Sequence, residues 1–369
     1  MSVPSRTMTS PYMQWAKTRS GAKYNLASSG MRNLTPEEFP YSTNDVGLSG
    51  ASFYGFPPLQ RALARHAEVD QSCVFSSIGT SMANFVAMAA VLEPGDEVVI
   101  ESPAYDLLPS AAGYLQANVK WLPRPESLGY QPDLKALQDT LSTETKLIVL
   151  TNLHNPSSAY IDAPALHEIG RLARAAGARV LVDEVYLDAA FEAAPRSASH
   201  LGKEFIITNS LTKVYGLSGL RGGWVVAQPA LVERMWRLSD LFYGIPAHAS
   251  ELLSLRALER LPELKARTKA ILDRNRALVN QFIASRPELE CAPVPFGMTV
   301  FPRLKGLDVD ALCDILRNRF ETTVVPGSFF GQPDHFRLSF GQDTPIVEEG
   351  LKRLGKTLDE LSTPSSKTA

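Results

Sequence analysis

Arg179-Val180-Leu181-Val182 runs directly into Asp183-Glu184-Val185-Tyr186, and the junction between the two halves sets the fold class. A short apolar run without polar alternation fits a strand covered on both faces, as in a parallel sheet flanked by helices. A carboxylate at the buried end of such a strand is costly unless a partner meets it. In open α/β sheets, ligands collect at the carboxyl ends of the strands. The stretch therefore predicts both the layering of the domain and the place where a ligand binds.

Outward from it, similar runs recur at Glu97 to Ile100, Lys146 to Leu150, Phe205 to Thr208 and Trp224 to Ala227. Helical periods lie between them. Met82, Phe85, Val86, Ala89 and Leu92 form one, stopped at Pro94-Gly95; Leu166, Ile169, Leu172 and Ala173 form another, ending at Gly177. This alternation, from about Val74 to Ala227, predicts a doubly wound α/β sheet. Beyond Ser239 the texture changes to helices over Ala249 to Ala284. A β-rich stretch follows (Met298 to Phe301, Thr322 to Val325, Phe336 to Phe340), broken by a helix from Val309 to Phe320. The expected organisation is a large α/β domain over 45–240. A smaller α+β domain is built from 1–44 and 241–360, and a disordered tail covers 361–369.

The 369 residues are 44% hydrophobic and 21% charged, ordinary for a globular enzyme. Lysines and arginines number 37 against 39 acids, so no basic excess points to nucleic acid or an anionic membrane. Cys73, Cys291 and Cys313 are odd in number and widely spaced. They fit neither a disulfide framework nor a zinc site, and a cytoplasmic location is expected. Met1 to Ser20 has no apolar core of the signal-peptide kind. No run of about eighteen apolar residues is present to span a membrane.

The chemistry concentrates in Ser210-Leu211-Thr212-Lys213, with Arg221 eight residues after the lysine. A lysine beside a second cation loses its proton readily and becomes a nucleophile. Hydroxyls and an arginine converging on one point suit a phosphate dianion. An amine next to an anion cradle points to a phosphorylated aldehyde held as a Schiff base, which describes pyridoxal 5′-phosphate (PLP). Gly79-Thr80-Ser81, at the start of the Met82 helix, offers a helix N-terminus for an anion, or a plain N-cap. Asn155, held extended before Pro156, would donate its amide to a ring oxygen, unless the pair is only a turn. Asp183 would meet a protonated pyridine nitrogen, and Tyr186 would bond the ring oxygen. The Asp183-Glu184 pair also admits a Mg²⁺ reading, weakened because no phosphate-binding G-x-x-x-x-G-K-[ST] loop is present. Tyr105 would stack on a planar ring or be an ordinary buried aromatic. Arg337 would pair with a carboxylate of the protein or of a ligand. His154, beside a turn, is read as a packing residue, and no metal ligand is assigned.

Taken in series, these residues resemble the class I/II aminotransferases of PLP fold type I, from about Gly55 to Phe340. The resemblance implies that Lys213 carries the Schiff base and shuttles the substrate α-proton. It implies that Asp183 pairs with the pyridine nitrogen, that Asn155 and Tyr186 bind the ring 3-hydroxyl oxygen, and that Tyr105 and Val185 cover the two ring faces. Gly79, Thr80, Ser81, Ser210 and Arg221 would hold the phosphate. Arg337, with Asn155, would bind the substrate α-carboxylate, and Gly327 matches the family's loop ahead of that arginine. A homodimer with active sites at the subunit interface is also implied.

The chain departs from the family pattern in places. Asn152-Leu153-His154-Asn155-Pro156-Ser157-Ser158 lacks the first proline and the final glycine of the family's Asn-Pro-x-Asn-Pro-Thr-Gly. Gly50 stands where relatives have a tyrosine that reaches the neighbouring subunit's phosphate, and Tyr54 is the nearest substitute. No arginine between Asp240 and Ser250 matches the one that dicarboxylate-specific relatives place there. Asn25-Leu26-Ala27-Ser28-Ser29-Gly30 resembles PLP enzymes that cyclise an arginine derivative, with Gly30 near the substrate carboxylate. The expected activity is transamination between an α-amino acid and a 2-oxo acid. The alternatives are elimination or cyclisation with the same cofactor, and, more remotely, a non-enzymatic effector-binding domain.

Overall fold

The computed structural model describes residues 5–363; the end of the expected tail, 364–369, lies outside the described residues. Strand β1 (Tyr24–Asn25) stands apart from the main sheet. That sheet is built from β2 (Val74–Ile78), β3 (Glu97–Ser102), β4 (Asn118–Pro123), β5 (Thr145–Thr151), β6 (Arg179–Asp183), β7 (Phe205–Ser210) and β8 (Gly222–Val226). The spatial order is β2-β8-β7-β6-β5-β3-β4. The strands from β7 through β4 pair in parallel, and β8 runs against both of its neighbours.

Why the central strands read as continuous apolar runs is visible in their side chains. Leu147, Val149 and Leu181 enter one hydrophobic core, and Ile148, Leu150, Val180 and Val182 enter the other. Alternate residues feed opposite faces, and both faces are covered. The first core is closed by α3 (Thr80–Ala89), α4 (Leu107–Tyr114) and α7 (Pro229–Phe242). The second is closed in part by α6 (Ala163–Ala176), whose N-cap Asp162 accepts from Ala165 N and whose stop is Gly177 at φ 74.

The same alternation places the ligand residues. Asp183 shares the parity of Leu181 and so faces α3, where Asn84 Nδ2 donates to it at 2.8 Å. Glu184 turns to the opposite face and accepts from Ala198 N at 2.8 Å. The two carboxylates do not converge, which removes the geometric basis of the Mg²⁺ reading.

The C-terminal part carries α8 (His248–Glu259), α9 (Leu261–Ala284), α10 (Val309–Phe320) and α11 (Thr344–Ser362). Pro262, in the first turn of α9, divides the expected helical stretch in two. A small antiparallel sheet pairs Thr299–Val300 and Val325–Pro326 with Phe336–Ser339 on either side. The N-terminal segment joins this part: β1 pairs in parallel with Thr322–Thr323, and Ser339 N donates to Leu26 O. The expected strand over Thr322 to Val325 is therefore two short strands in different sheets. Helix α11 runs two residues into the segment expected as tail. No described helix is long and apolar enough to cross a membrane.

Candidate active site

A cavity of about 440 Å³ opens at the carboxyl ends of β5, β6 and β7, roofed by the N-terminal segment. Gly30, Thr80, Ser81, Tyr105, Asn155, Asp183, Val185, Tyr186, Lys213 and Arg221 line it. The remaining three expected residues adjoin it. Gly79 caps α3. Ser210 Oγ lies 2.6 Å from Oγ1 of Thr212, a lining residue. Arg337 donates to lining Asn155.

Lys213 follows the end of β7, and its Nζ donates to Ser29 Oγ at 2.6 Å. Burial, above all, lowers its pKa from the ordinary lysine value to about 8. Arg337 and Arg221 push in the same direction, with Arg337 the stronger, while Asp183 opposes them. The neighbouring cation expected at Arg221 is thus outweighed by desolvation and by Arg337. Burial raises Asp183 to about 6, against the hydrogen bonds it accepts from Asn84 and from Val185 N. Tyr186, raised to about 12 by burial, donates its hydroxyl to Ser29 O at 2.7 Å.

The anion cradle is built by backbone and cation together. Gly79 sits at φ 91, and a Cβ there would collide with Nη2 of Arg221. Only glycine permits both the turn and the close approach of the guanidinium. Thr80 Oγ1 is buried at the start of α3 without a hydrogen-bond partner. A helix N-terminus, an orphaned hydroxyl and a guanidinium on one point form the donor set that a phosphate group satisfies. The buried carboxylate of Asp183 lacks a cationic hydrogen-bond donor, which a pyridine N–H would supply. The residues present therefore fit PLP.

Arg337, on Phe336–Ser339, is completely buried. Its Nη1 donates to Asn155 Oδ1 at 2.8 Å, and its Nη2 donates to Tyr12 Oη at 2.8 Å and to Ala27 O at 3.2 Å. None of these acceptors carries a charge, and Nε has no acceptor.

A sequence model of the family described as "Aminotransferase class I and II" matches residues 43–354. The chain belongs to the class I and II aminotransferase family. PLP is the cofactor of this family and of this chain. Capreomycidine synthase of Streptomyces vinaceus is 32% identical over 371 residues, spanning 96% of this chain and 95% of that protein. A PLP-dependent aminotransferase from Streptococcus suis 89-1591 superimposes with a TM-score of 0.89 at 25% identity, over 96% of this chain and 100% of that one. The PLP-dependent cyclase OrfR has the same fold, with a TM-score of 0.87 at 24% identity over 97% and 98% of the two chains.

Asn84, Tyr12 and Ser29 also belong to this aminotransferase-family site. Asn84 is held by Thr208 Oγ1, which donates to its Oδ1 at 2.6 Å, leaving Nδ2 for Asp183. It lies one helical turn beyond Thr80, a spacing that marks it as sharing the ligand face. Tyr12 and Ser29 come from the N-terminal segment, of which only Gly30 carries a site role in the sequence analysis. The Ser10-Pro11 start signal of α1 (Pro11–Thr18) was legible there. His154 is a packing residue: Nδ1 lies 2.7 Å from Ser157 Oγ and Nε2 2.9 Å from Pro103 O, and burial holds its pKa well below normal. Tyr54 is exposed, donates to Asp240 at 3.2 Å and lies under Arg237.

Proposed function

We propose that the protein is a transaminase moving the amino group of an α-amino acid to a 2-oxo acid. The observation that carries this is Arg337: a fully buried guanidinium whose three acceptors are all neutral. A buried cation without a counter-charge is costly, and a substrate α-carboxylate supplies the charge that the chain withholds.

In this reading Arg337 orients the amino acid by its carboxylate, with its α-carbon toward Lys213. The Lys213 amine, whose lowered pKa gives it a far larger neutral fraction than an ordinary lysine has at physiological pH, takes the α-proton and later returns it. Asp183 is held ionised by Asn84 and Val185 N and keeps the pyridine nitrogen protonated. When bound, PLP supplies a cationic ring that takes up the electron pair left at the α-carbon. Thr80, Ser81, Ser210 and Arg221 would hold the phosphate, Tyr105 and Val185 would pack against the ring, and Asn155 and Tyr186 would hold the ring oxygen.

Family membership also supports a homodimer. Leu48, Phe53 and Leu241 are at least 77% exposed, and the Tyr54–Asp240 bond sets their two segments side by side. Three free cysteines favour a reducing cytoplasm.

Likeness to capreomycidine synthase and to a PLP-dependent cyclase supports a second reading, cyclisation or elimination from the same deprotonated α-carbon. A panel of ¹⁵N-amino acids, incubated with and without a 2-oxo acid, separates the two. Label recovered on the added oxo acid supports transamination. Ammonia, or a cyclic product formed without any co-substrate, supports the second reading.

A further inference from the structure

We propose that Tyr12, from the N-terminal helix α1, is a direct ligand of the substrate α-carboxylate alongside Arg337. This deepens, and rests on, the reading of Arg337 as the amino-acid anchor. Tyr12 is 4% exposed and lines the cavity. Its hydroxyl accepts from Arg337 Nη2 at 2.8 Å, and its ring centroid lies 5.5 Å from the guanidinium carbon. A phenol has one proton to donate. Since the oxygen serves Arg337 as acceptor, that proton is free, and no described group accepts it. Of the five N–H donors of a guanidinium, three are bonded here, and Nε has no partner. Two guanidinium donors and one phenolic donor are therefore left around a single buried cation. A carboxylate, an acceptor-only group, takes the phenolic proton together with the one left on Nη1, the Nε proton lying on the other side of the planar fork.

The helix that carries Tyr12 is anchored for this purpose. Ser10 Oγ donates to Asp106 Oδ2 at 2.5 Å, and Tyr12 N donates to the same oxygen at 3.3 Å. Tyr105, adjacent to Asp106, donates to Met13 Sδ at 3.2 Å and packs edge-on against Tyr12. The residue expected to cover the cofactor ring and the residue that reaches the carboxylate thus share one attachment. Phe329 and Phe330 close the other side of the Tyr12 ring.

The test is to titrate the PLP-loaded wild type and Tyr12→Phe calorimetrically with two probes. One is 2-methylalanine, which has no α-proton to lose and binds without turnover. The other is 2-aminopropane, the same amine without its carboxylate. The visible absorbance of each loaded protein is recorded first to establish equal cofactor occupancy. Wild type is expected to prefer 2-methylalanine. Tyr12→Phe is expected to weaken that probe about ten-fold or more and to leave 2-aminopropane unchanged. Unchanged or tighter binding of 2-methylalanine to Tyr12→Phe, or equal weakening of both probes, overturns the assignment of Tyr12 while leaving Arg337 in place. A wild type that binds both probes equally overturns the Arg337 reading itself, and Tyr12 with it.

Discussion

Asn155 Oδ1 accepts a 2.8 Å hydrogen bond from Arg337 Nη1, so one amide joins the cofactor side of the cavity to its substrate side. With its oxygen committed to Arg337, the amide keeps Nδ2 as a donor, the role expected of it toward the ring oxygen. Its backbone is held as well: Asn155 N donates to Thr151 Oγ1 at 3.0 Å, and that hydroxyl donates to Glu101 at 2.5 Å. Glu101 is in turn paired with Arg124, both fully buried.

Asn155→Ala removes both functions of that amide. It leaves Arg337 Nη1 without its acceptor and the ring oxygen without a donor. The expected result is a fall in kcat/KM of about 10- to 100-fold, the worth of one or two hydrogen bonds to charged groups. Both cofactor affinity and the amino-acid KM are expected to worsen. A change confined to cofactor affinity would show that the bond to Arg337 has no functional weight.

Thr151→Val tests the support behind Asn155. The substitution conserves shape but orphans Asn155 N and takes the hydroxyl donor from Glu101 Oε1, which keeps the 3.0 Å bond from the backbone N of residue 151, a loss of about 1–3 kcal/mol. Glu101→Gln leaves Arg124 buried without its counter-charge and is expected to cost more, about 3–5 kcal/mol. Thermal melts of the two apo variants check the order. A Glu101→Gln protein as stable as wild type would mean that Arg124 has found another partner.

Lys213, lowered to about 8 mainly by burial and then by Arg337, gives a pH signature. The neutral amine is the nucleophile, so reductive alkylation of the apo protein at Lys213 by a small aldehyde is expected to accelerate with a midpoint near 8. Peptide mapping follows the site, and Lys213→Ala loses it. A midpoint near the ordinary lysine value would remove the desolvation account. The stability linkage has a definite sign. Between about 8 and 10.5 the unfolded lysine binds more proton than the folded one, so this group's contribution to stability rises with pH across that window.

The strands that the sequence displayed most clearly are those buried on both faces. β5, β6 and β7 match their expected spans to within two residues at each end because each has an unbroken apolar run, with polar residues only toward its ends. β2 carries a weaker signal: Ser76 and Ser77 interrupt its pattern, and it lies at the sheet edge beside β8. β4, with Lys120 and a terminal Pro123, is the other edge strand and is only partly covered. Within the site, Lys213, Asp183, Asn155 and Arg221 stood in recognisable local motifs. Tyr12, Ser29 and Asn84 did not, because their chemistry comes from partners 99 or more positions away in the chain. Spacing from Thr80 puts Asn84 on the ligand face, but spacing within one stretch does not name a distant partner.

Asp183 and Glu184 make the apo protein acid-favoured at this locus. Burial raises them to about 6 and about 7. The folded state then binds more protons than the unfolded state between about pH 4 and 7. Their contribution to stability is full below the ordinary carboxylate pKa and is lost as pH rises through 6 to 7. Glu184→Gln can keep the bond from Ala198 N but cannot ionise. Relative to this variant, the wild-type apo protein is expected to lose melting temperature from pH 5 to pH 8. A constant difference between the two would show that Glu184 ionises normally when folded.

Ser158 occupies the position where the family pattern ends in glycine, and its φ of 62 is in the left-handed region. That conformation costs a non-glycine residue about 1–2 kcal/mol. Its hydroxyl offsets the cost by donating to Thr299 O at 2.7 Å, and it lies 3.0 Å from Thr299 Oγ1. Thr299 pairs with Ser339 on the strand that carries Arg337, so Ser158 links the Asn155 loop to the Arg337 strand. Gly297 makes room for the link, since a Cβ there would lie 2.5 Å from Ser158 Cβ. Ser158→Ala keeps the strain and loses the bonds, while Ser158→Gly loses the bonds and relieves the strain. Melting temperatures are therefore expected in the order wild type, then Ser158→Gly, then Ser158→Ala, with about 1 kcal/mol between the two variants. A Ser158→Gly protein that melts above wild type would mean that the strain outweighs the Thr299 contacts.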